Sequence, residues 1–364
     1  MVQEKICVGV VGAGAISGIY LKNMINRFDN LSVKSICAAH LESAQKKAKE
    51  YGIQAVTMEE MYNDPEIRMI VNLTPAHVHY DVIKRALEHG KHVYTEKTLT
   101  DDLNKSAELV RLANEKGLYL GSAPDTFMGA ALQTARSAID SGMLGEIHSF
   151  AVSANRNNDI LLSLFDFLRK PGGGIVCDYA VYYVTALVSL LGPAARVGSI
   201  VGYPYPTHVN CVPGTPLYGQ TMDTPNESQV NAVLQFENGV TGTFHIDADS
   251  VMEDQAYFTI YGTKGILMLT DPNQFGGQVR FLQNTPNPEE RQEASVLQSV
   301  NEYSDNSRGI GPSDLADTIL NGTPLRPSAE MAYHVHEVLN AMLEGDTSGK
   351  FTDIRSSCVR PEPL

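Results

Sequence analysis

The stretch that decides the fold of the N-terminal half is Ile6-Cys7-Val8-Gly9-Val10-Val11-Gly12-Ala13-Gly14-Ala15-Ile16-Ser17. Its first half is an almost continuous apolar run, which is typical of a strand that is covered on both faces of a sheet. Its second half is a glycine-rich turn, after which Ile19, Tyr20 and Met24 recur at helical spacing. The stretch therefore predicts a strand, a tight turn and a helix in direct succession.

The turn follows a G-x-G-x-x-S pattern in which each small residue has a physical role. Gly12 permits the tight turn, Gly14 lets the backbone approach a pyrophosphate, and the helix start offers free N–H groups to the phosphates. Ser17 replaces a third glycine, an exchange that helix–strand packing can accommodate. The alternative is a glycine-rich turn without a ligand. The strand before the turn and the helix after it favour a dinucleotide site at Gly12, Gly14, Ala15 and Ile16.

The end of the second strand bears on the choice of dinucleotide. An acid there normally binds the adenine-side ribose of NAD, and an Arg there accommodates the 2′-phosphate of NADP. Residues 36–42 read Ile-Cys-Ala-Ala-His-Leu-Glu, and neither residue type stands at the expected place. Ala38 and His40 are the predicted contacts, with Ser43 and Lys47 as further candidates. We expect NAD or NADP, with NAD favoured because no Arg is present.

Strand-like runs and helix-period segments alternate as far as Gly121. Three further units, each closed by a glycine, occupy residues 31–52, 69–90 and 92–117. This alternation predicts an α/β domain with a parallel sheet, in which ligands bind beyond the carboxyl ends of the strands. The remaining predicted cofactor contacts follow those ends: Leu73, Thr74, Pro75, His79, Glu96 and Lys97.

Lys97 stands out because it directly follows an apolar strand. Such a lysine is either a surface charge or a functional group. Beside a cofactor site, partial desolvation would lower the pKa of the ammonium, so that it could take or return a hydroxyl proton near neutral pH.

The second half of the chain has a different pattern, in which strand-like stretches dominate and Glu237-Asn238-Gly239 marks a hairpin-like turn. We predict strands over residues 147–154, 195–201, 230–236, 240–248 and 256–261, and helices near 129–141, 179–191 and 313–343. Residues 203–227, rich in Pro, Gly, Thr and Asn, are predicted to form a long loop. The expected domains are therefore a dinucleotide-binding domain over 1–122 and an α+β domain for substrate binding and oligomerisation over 123–364.

A triple glycine at 172–174 precedes a second group of candidate residues. Asp178 and Tyr182 are four positions apart and share one face of the predicted helix. For Asp178 the alternative is a helix N-terminal charge, and for Tyr182 and Tyr183 it is ordinary packing.

Composition excludes several classes of protein. The chain has 28 Lys and Arg against 42 Asp and Glu, a formal charge of −14, which disfavours nucleic-acid and anionic-membrane partners. Its apolar runs are shorter than the ~20 residues that a membrane span needs, and the acidic start lacks a signal-peptide pattern, so we expect a cytoplasmic protein. The five cysteines form no C-x-x-C pair, and we expect neither disulfides nor a metal site.

Taken together, the motifs resemble those of the glucose-fructose oxidoreductase, inositol dehydrogenase and rhizopine catabolism family (Gfo/Idh/MocA). The family patterns G-x-G-x-x-G/S, T-P-N-x-x-H, E-K-P and G-G-G-x-x-x-D-x-G-x-H are matched, in order, at residues 12–17, 74–79, 96–98 and 172–182. The resemblance implies an N-terminal Rossmann domain and a C-terminal α+β domain whose open, mainly antiparallel sheet often forms a subunit interface. It also implies NAD(P)-dependent chemistry on sugars or cyclitols.

The resemblance gives roles to three residues. It makes Lys97 the catalytic or substrate-orienting lysine, Asp178 its partner at the reacting hydroxyl, and Tyr182 the occupant of the usual histidine place. Thr98 stands where the family has proline, so we expect a trans bond after Lys97, and Ala180 replaces a glycine. Because the reference pKa of tyrosine is about 10, Tyr182 would serve as a base only where a cation such as Lys97 stabilises its phenolate.

The expected function is oxidation or reduction of a secondary hydroxyl or keto group of a sugar, glycoside or cyclitol by NAD(P). Two alternatives stay open: a redox-assisted glycosidase or lyase that regenerates its NAD in each turnover, and an inactive dinucleotide-binding sensor. We expect a homo-oligomer, as a dimer, tetramer or hexamer. The predicted substrate contacts are Asp125, Asn155, Arg156, Asn158, Tyr183 and His245, with Asp159 as a further candidate.

Overall fold

The computed structural model describes residues 4–252, 255–290 and 292–364. The chain divides into two compact units: unit 1 is Met1–Met128 with Asn306–Tyr333, and unit 2 is Gly129–Asp305 with His334–Leu364. This differs from the predicted single boundary after residue 122, because the chain returns to unit 1 late in the sequence. The side-chain amide of Asn23 donates to the carbonyls of Asn306 and Arg308, both at 2.8 Å. Such long-range contacts leave no periodic pattern in the sequence.

Unit 1 contains a parallel sheet in the order β3-β2-β1-β4-β5-β6. Its strands are β1 (Ile6–Val11), β2 (Leu31–Cys37), β3 (Gln54–Ala55), β4 (Met69–Asn72), β5 (His92–Thr95) and β6 (Leu120–Ser122). The predicted Rossmann-type α/β fold is confirmed. Val10 and Ile70 on adjacent strands are completely buried, and each such side chain contributes roughly 1.5–3 kcal/mol to the free energy of unfolding.

The helices between these strands are α1 (Ser17–Asn26), α2 (Leu41–Tyr51), α3 (Met58–Asn63), α4 (His79–Glu88) and α5 (Leu103–Lys116). Gly52 and Gly117 end α2 and α5 in the left-handed conformation that the sequence predicted. Helix α3 was not predicted from the sequence. Its signal was present, because Thr57 and Glu60 form a capping box at its start.

Unit 2 contains a larger sheet and a small one. The helices are α6 (Ala130–Asp140), α7 (Asn158–Leu164) and α8 (Val181–Leu191), and a π-helical turn, Val176–Ala180, precedes α8. The strands are β7 (Ile147–Asn155), β8 (Ala194–Gly202), β9 (Thr207–Val209), β10 (Thr221–Asp223), β11 (Gln229–Phe236), β12 (Thr241–Asp247), β13 (Ala256–Gly262), β14 (Gly265–Leu269), β15 (Arg280–Gln283), β16 (Ser295–Val296) and β17 (Thr352–Asp353).

The larger sheet has the order β16-β15-β14-β13-β7-β12-β11-β8-β17 within the described residues. Its pairings are antiparallel except between β7 and β12, which confirms the predicted mainly antiparallel sheet. Along β11, buried Val230, Ala232 and Leu234 alternate with exposed residues, as expected for a sheet with one covered face.

Two predicted segments are more broken than the sequence suggested. Residues 203–227 are not a plain loop, because β9 and β10 pair there as a two-stranded sheet. The predicted helix over 313–343 is two helices, α9 (Ile310–Asn321) and α10 (Ala329–Ser348). Gly322 ends α9 in the left-handed conformation, and Pro324 and Pro327 then interrupt the helical backbone. Within the described part of the chain, no helix has the length and apolar character needed to cross a membrane.

Candidate functional site

The turn between β1 and α1 has the geometry that a dinucleotide requires. Gly12 has φ +109°, and a Cβ on it would lie 2.7 Å from the carbonyl oxygen of Leu73, so only glycine fits there. At Gly14, by contrast, no atom of the chain beyond Gly14 and its two neighbours lies within 4 Å of the position that a Cβ would take. The protein therefore leaves open the space beside Gly14 that the pyrophosphate needs, and the residues present fit such a cofactor.

The start of α1 contributes to the same site. Ile16 precedes the helix and has no side chain that can accept from the first N–H groups. The Ser17 hydroxyl donates instead to the Gly14 carbonyl, at 2.7 Å, which holds the turn closed. Since a helix start favours an anion, this end of α1 fits the phosphates of NAD(P).

At the end of β2, Ala38 is half-buried and His40 is exposed, as the residue that precedes α2. Lys47 pairs with Glu50 at 3.2 Å, and its ammonium lies 3.4 Å from where a Cβ on Gly18 would stand, beside the first turn of α1. The roles of these residues toward the ribose stay predictions.

The segment after β4 is linked by hydrogen bonds to Thr98, the residue that follows Lys97. The Thr74 hydroxyl donates to the Asn72 side chain at 2.7 Å. The two ring nitrogens of His79 lie 2.7 Å from the carbonyl oxygens of Thr98 and Thr74. Burial lowers the pKa of His79, which is completely inaccessible to solvent. His79 therefore joins two loops from inside the protein, whereas the sequence predicted that it contacts the cofactor directly.

Glu96 holds the backbone of Lys97. One carboxylate oxygen accepts from the Tyr20 hydroxyl of α1 at 2.7 Å, and the other accepts from the Lys97 N–H at 3.1 Å. Both carboxylate oxygens thus accept hydrogen bonds from residues of unit 1. The sequence had predicted that Glu96 contacts the cofactor. The Lys97 side chain is half-buried directly beyond β5.

The peptide bond after Lys97 is cis, and the predicted trans bond was wrong. The prediction used only the absence of proline. In the structure the hydroxyl of Thr98 donates to the Thr100 carbonyl at 2.7 Å. The carbonyl of Thr98 lies 2.7 Å from a ring nitrogen of His79, a contact that the local sequence does not display.

Asp125 is 1% exposed, which differs from the predicted substrate contact. Its carboxylate accepts from the N–H groups of Gly309 at 3.4 Å and Gly311 at 3.1 Å, at the start of α9. Burial raises the pKa of Asp125 to about 6, and the nearby Arg308 opposes this shift. The carboxylate serves the interior of unit 1.

In unit 2, Asp178 lies in the π-helical turn that begins after the triple glycine, and its N–H donates to the Gly174 carbonyl at 2.8 Å. Tyr182 follows one turn later at the start of α8 and is 9% exposed.

Tyr183 packs in the core of unit 2, against Phe244 and Phe258, and is completely buried. This placement differs from the predicted substrate contact. Its hydroxyl lies 3.3 Å from that of Tyr179, which donates to Asp271 at 2.8 Å. The guanidinium of Arg156 stacks over the Tyr179 ring, 4.8 Å from its centroid. Arg156 is thus joined to a buried tyrosine–carboxylate cluster.

The other predicted substrate contacts are dispersed, each with a partner in unit 2. Asn155 donates to Gln255 at 2.8 Å, and Asn158 donates to Asp249 at 3.3 Å. Their roles toward a substrate, like those of Asp159 and His245, stay predictions. Asp159 lies 2.7 Å from a ring nitrogen of His208, and His245 lies 2.8 Å from the Asn231 side chain. In the described residues, no group of three His, Cys, Asp or Glu side chains is placed to hold a metal ion.

Two buried carboxylates in unit 2, Glu227 and Asp271, were not predicted as site residues from the sequence. Burial raises the pKa of both groups. A signal for Glu227 was present but indirect, because three consecutive glycines can admit a close neighbour without showing which one it is.

Comparisons with known proteins agree with this geometry. Residues 6–123 match the family described as "Oxidoreductase family, NAD-binding Rossmann fold", and residues 132–268 match the "GFO/IDH/MocA C-terminal domain". The chain is 27% identical over 199 residues to scyllo-inositol 2-dehydrogenase (NADP(+)) IolW of Bacillus subtilis, covering 54% of this chain and 55% of that protein. It is 26% identical over 267 residues to trans-1,2-dihydrobenzene-1,2-diol dehydrogenase of Oryctolagus cuniculus, covering 72% and 75%.

The chain spans about half the length of several curated relatives that it matches. Among solved structures, levoglucosan dehydrogenase in complex with NADH has the same fold, with a TM-score of 0.84 at 18% identity over 97% of this chain and all of that one. Since the two family matches together cover well over half of the sequence, the chain belongs to the Gfo/Idh/MocA family.

Proposed function

We propose that the chain is an NAD(P)-dependent oxidoreductase that acts on a secondary hydroxyl or keto group of a sugar, glycoside or cyclitol. The observation that carries the proposal is the open space beside Gly14 at the start of α1, a site for a pyrophosphate at the sheet edge where Lys97 also lies. The family membership and the names of the relatives support the substrate class.

Hydride leaves a carbinol carbon readily only as the hydroxyl proton departs, so a base must reach that oxygen. Lys97 and Tyr182 are the proposed acid/base residues, and Asp178 is the proposed residue that orients the reacting hydroxyl. The bound nicotinamide supplies the hydride acceptor. In the reverse direction Lys97 Nζ or Tyr182 Oη donates a proton to the carbonyl oxygen of the substrate as hydride is added to its carbon.

Glu96 has a supporting part in this mechanism. Its two carboxylate oxygens link the Lys97 N–H to the Tyr20 hydroxyl on α1, the helix that begins at the cofactor turn. Lys97 is therefore positioned from the same helix whose start would bind the phosphates, which keeps a base and a hydride acceptor in a constant relation within unit 1.

The first experiment measures hydride transfer. The purified protein is offered NAD⁺ and NADP⁺ with levoglucosan, scyllo-inositol and trans-1,2-dihydrobenzene-1,2-diol, and absorbance at the wavelength of the reduced nicotinamide is followed. We expect at least one polyol to give one reduced cofactor per oxidised product. Cleaved product without net reduction would indicate the redox-assisted glycosidase or lyase, and nucleotide binding without any transfer would indicate the sensor.

The second experiment assigns the base. If Tyr182 is the base, Tyr182→Phe lowers kcat about 10²–10⁴-fold, and Lys97→Ala slows turnover and moves the basic limb of the pH profile upward. If Lys97 is the base, Tyr182→Phe costs about tenfold, the value of one lost hydrogen bond. Near-wild-type transfer by both variants, with cofactor still bound, would remove these residues from the mechanism.

We also propose that the chain forms a homo-oligomer through the outer face of the larger sheet. The register places Ile200, Val233 and Tyr257 on one face of neighbouring strands, and they are 65%, 44% and 49% exposed. Apolar groups at this exposure on a single face are typical of a covered surface. A monomer by light scattering at micromolar concentration would contradict the proposal.

A further inference from the structure

The helix that carries Asp178 and Tyr182 is held at its start by a residue far away in the sequence. The N–H of Val176 donates to Oε1 of Glu227 at 3.0 Å, across 51 positions. The N–H of Ile175 donates to the backbone carbonyl of the same glutamate at 3.1 Å. Glu227 thus satisfies two consecutive N–H groups that an isolated helix would leave without partners.

The triple glycine makes room for this contact. A Cβ on Gly174 would stand 2.1 Å from both carboxylate oxygens of Glu227, closer than any side chain allows. A Cβ on Gly173 would stand 2.7 Å from backbone atoms of Leu168. The two glycines therefore allow other parts of the chain to pack closely against them. At Gly174 the group that packs there is the Glu227 carboxylate.

Glu227 is itself firmly placed. The amide of the preceding Asn226 donates to the carbonyls of Leu168 at 2.8 Å and Lys170 at 2.7 Å. The hydroxyl of the following Ser228 donates to Asp249 at 2.5 Å. With 9% of its surface exposed, Glu227 has little freedom to move away from the helix start.

Glu227 and Asp178 line the same pocket in unit 2, together with Gly174, Asn158 and Thr224. A change in the position of residues 174–176 would therefore move Asp178 with respect to anything bound there. We propose that Glu227 is a positioning residue for the reaction: by bonding the N–H of Val176 it fixes the place from which Asp178 orients the substrate hydroxyl. This inference rests on the proposed function. It also assigns a role to the segment 203–227, because Glu227 is the last residue of that segment.

The test compares Glu227→Ala with Glu227→Gln, using NAD(P)⁺ and the polyol that the wild type oxidises fastest. The amide oxygen of Gln can still accept from Val176, so we expect Glu227→Gln to keep kcat/KM within about threefold and Glu227→Ala to lower it roughly 10- to 100-fold. Nucleotide affinity by calorimetry should be unchanged in both, because the cofactor turn belongs to unit 1. Asp223→Ala, which removes an exposed carboxylate from the same segment, is the matched control and should behave as wild type.

Hydrogen exchange over residues 174–182 gives a second reading that does not need turnover. Protection should fall in Glu227→Ala and persist in Glu227→Gln. Wild-type kcat/KM in Glu227→Ala, equal losses in the Ala and Gln variants, or unchanged protection in Glu227→Ala would each overturn the inference. If the wild type oxidises no polyol, the proposed function fails, and the exchange data still decide whether Glu227 holds the helix start.

Discussion

Two helices of this protein begin after glycine-rich turns, and they differ in what stands at their N-terminal ends. At the start of α1, no atom beyond Gly14 and its two chain neighbours lies within 4 Å of the position that a Cβ on Gly14 would take. At the start of the helical segment after Gly172-Gly173-Gly174, the carboxylate of Glu227 occupies the corresponding space and accepts from Val176. Both ends favour an anion, because the helix dipole and the first N–H groups, which cannot bond within the helix, point at it.

The start of α9 belongs with the second case. Gly309 and Gly311 donate their N–H groups to the buried carboxylate of Asp125. Where the chain supplies its own carboxylate, the glycines allow protein to pack against protein. Where it supplies none, as at Gly14, the end stays open and fits the phosphates of the proposed cofactor. Similar glycine patterns can therefore precede either an open or an occupied helix start. The presence of a neighbouring carboxylate distinguishes the two.

The largest expected effect comes from filling the open space at the start of α1. Gly14→Val fills the space beside the turn with a side chain that meets no protein atom at its Cβ, so the fold should persist while the pyrophosphate is excluded. We expect nucleotide affinity to fall about 1000-fold, equivalent to about 4 kcal/mol. Calorimetry with NADH and NADPH measures the change, and thermal unfolding controls for the fold. A folded variant with wild-type affinity would contradict the assignment of the site.

An intermediate effect concerns the buried carboxylate at α9. Since burial raises the pKa of Asp125 to about 6, the folded state binds its proton more tightly than the unfolded state, whose pKa is near 3.9. The free energy of unfolding should therefore fall as pH rises from about 4 to about 6, by up to about 3 kcal/mol from this group.

Asp125→Asn removes that titration but keeps an acceptor for the N–H groups of Gly309 and Gly311. Urea unfolding of both proteins at pH 4.5 and pH 7 isolates the contribution of the group, as the change in their difference. The wild type should lose stability relative to the variant at the higher pH. A difference that does not change with pH would refute the expectation.

The smallest expected effect concerns the helix start that the Glu227 carboxylate occupies. Gly174→Ala should lower kcat/KM because its Cβ would collide with the Glu227 carboxylate. In a Glu227→Ala background the colliding atoms are gone, so the same substitution should cost less. We expect a coupling of about 1–2 kcal/mol between the two positions, within the range for residues in contact. Strict additivity of the two substitutions would show that the collision is not what Gly174 avoids.

Local patterns identified much of unit 1 correctly. The apolar run at β1, the turn at Gly12 and the glycine that ends α5 each act over a few residues, and their physics is present in the sequence. The five strands predicted in unit 2 were found for the same reason, because a strand-like run of residues is a local signal.

The parts that were missed depend on distant residues. No local rule pairs Asn23 with residues 306 and 308, so the return of the chain to unit 1 was not predicted. Glu227 lies in a stretch that looks like a loop by composition, and only its packing against Gly174 shows what it holds. His79, Glu96 and Asp125 were expected to face ligands, and the structure shows their polar atoms bonded to the protein itself.

By itself, the sequence determined that a parallel α/β unit begins the chain, that a dinucleotide-type turn follows β1, and that Lys97, Asp178 and Tyr182 are the residues to examine. Backbone propensity, apolar periodicity and the conformational freedom of glycine act within a few residues, so they can be read without coordinates. Only the tertiary structure decided which glycine-led helix start is open and which is filled. That outcome depends on the positions of two carboxylates, Glu227, which is 51 residues from Val176, and Asp125, which is 184 residues from Gly309. The packing of each whole unit sets these positions.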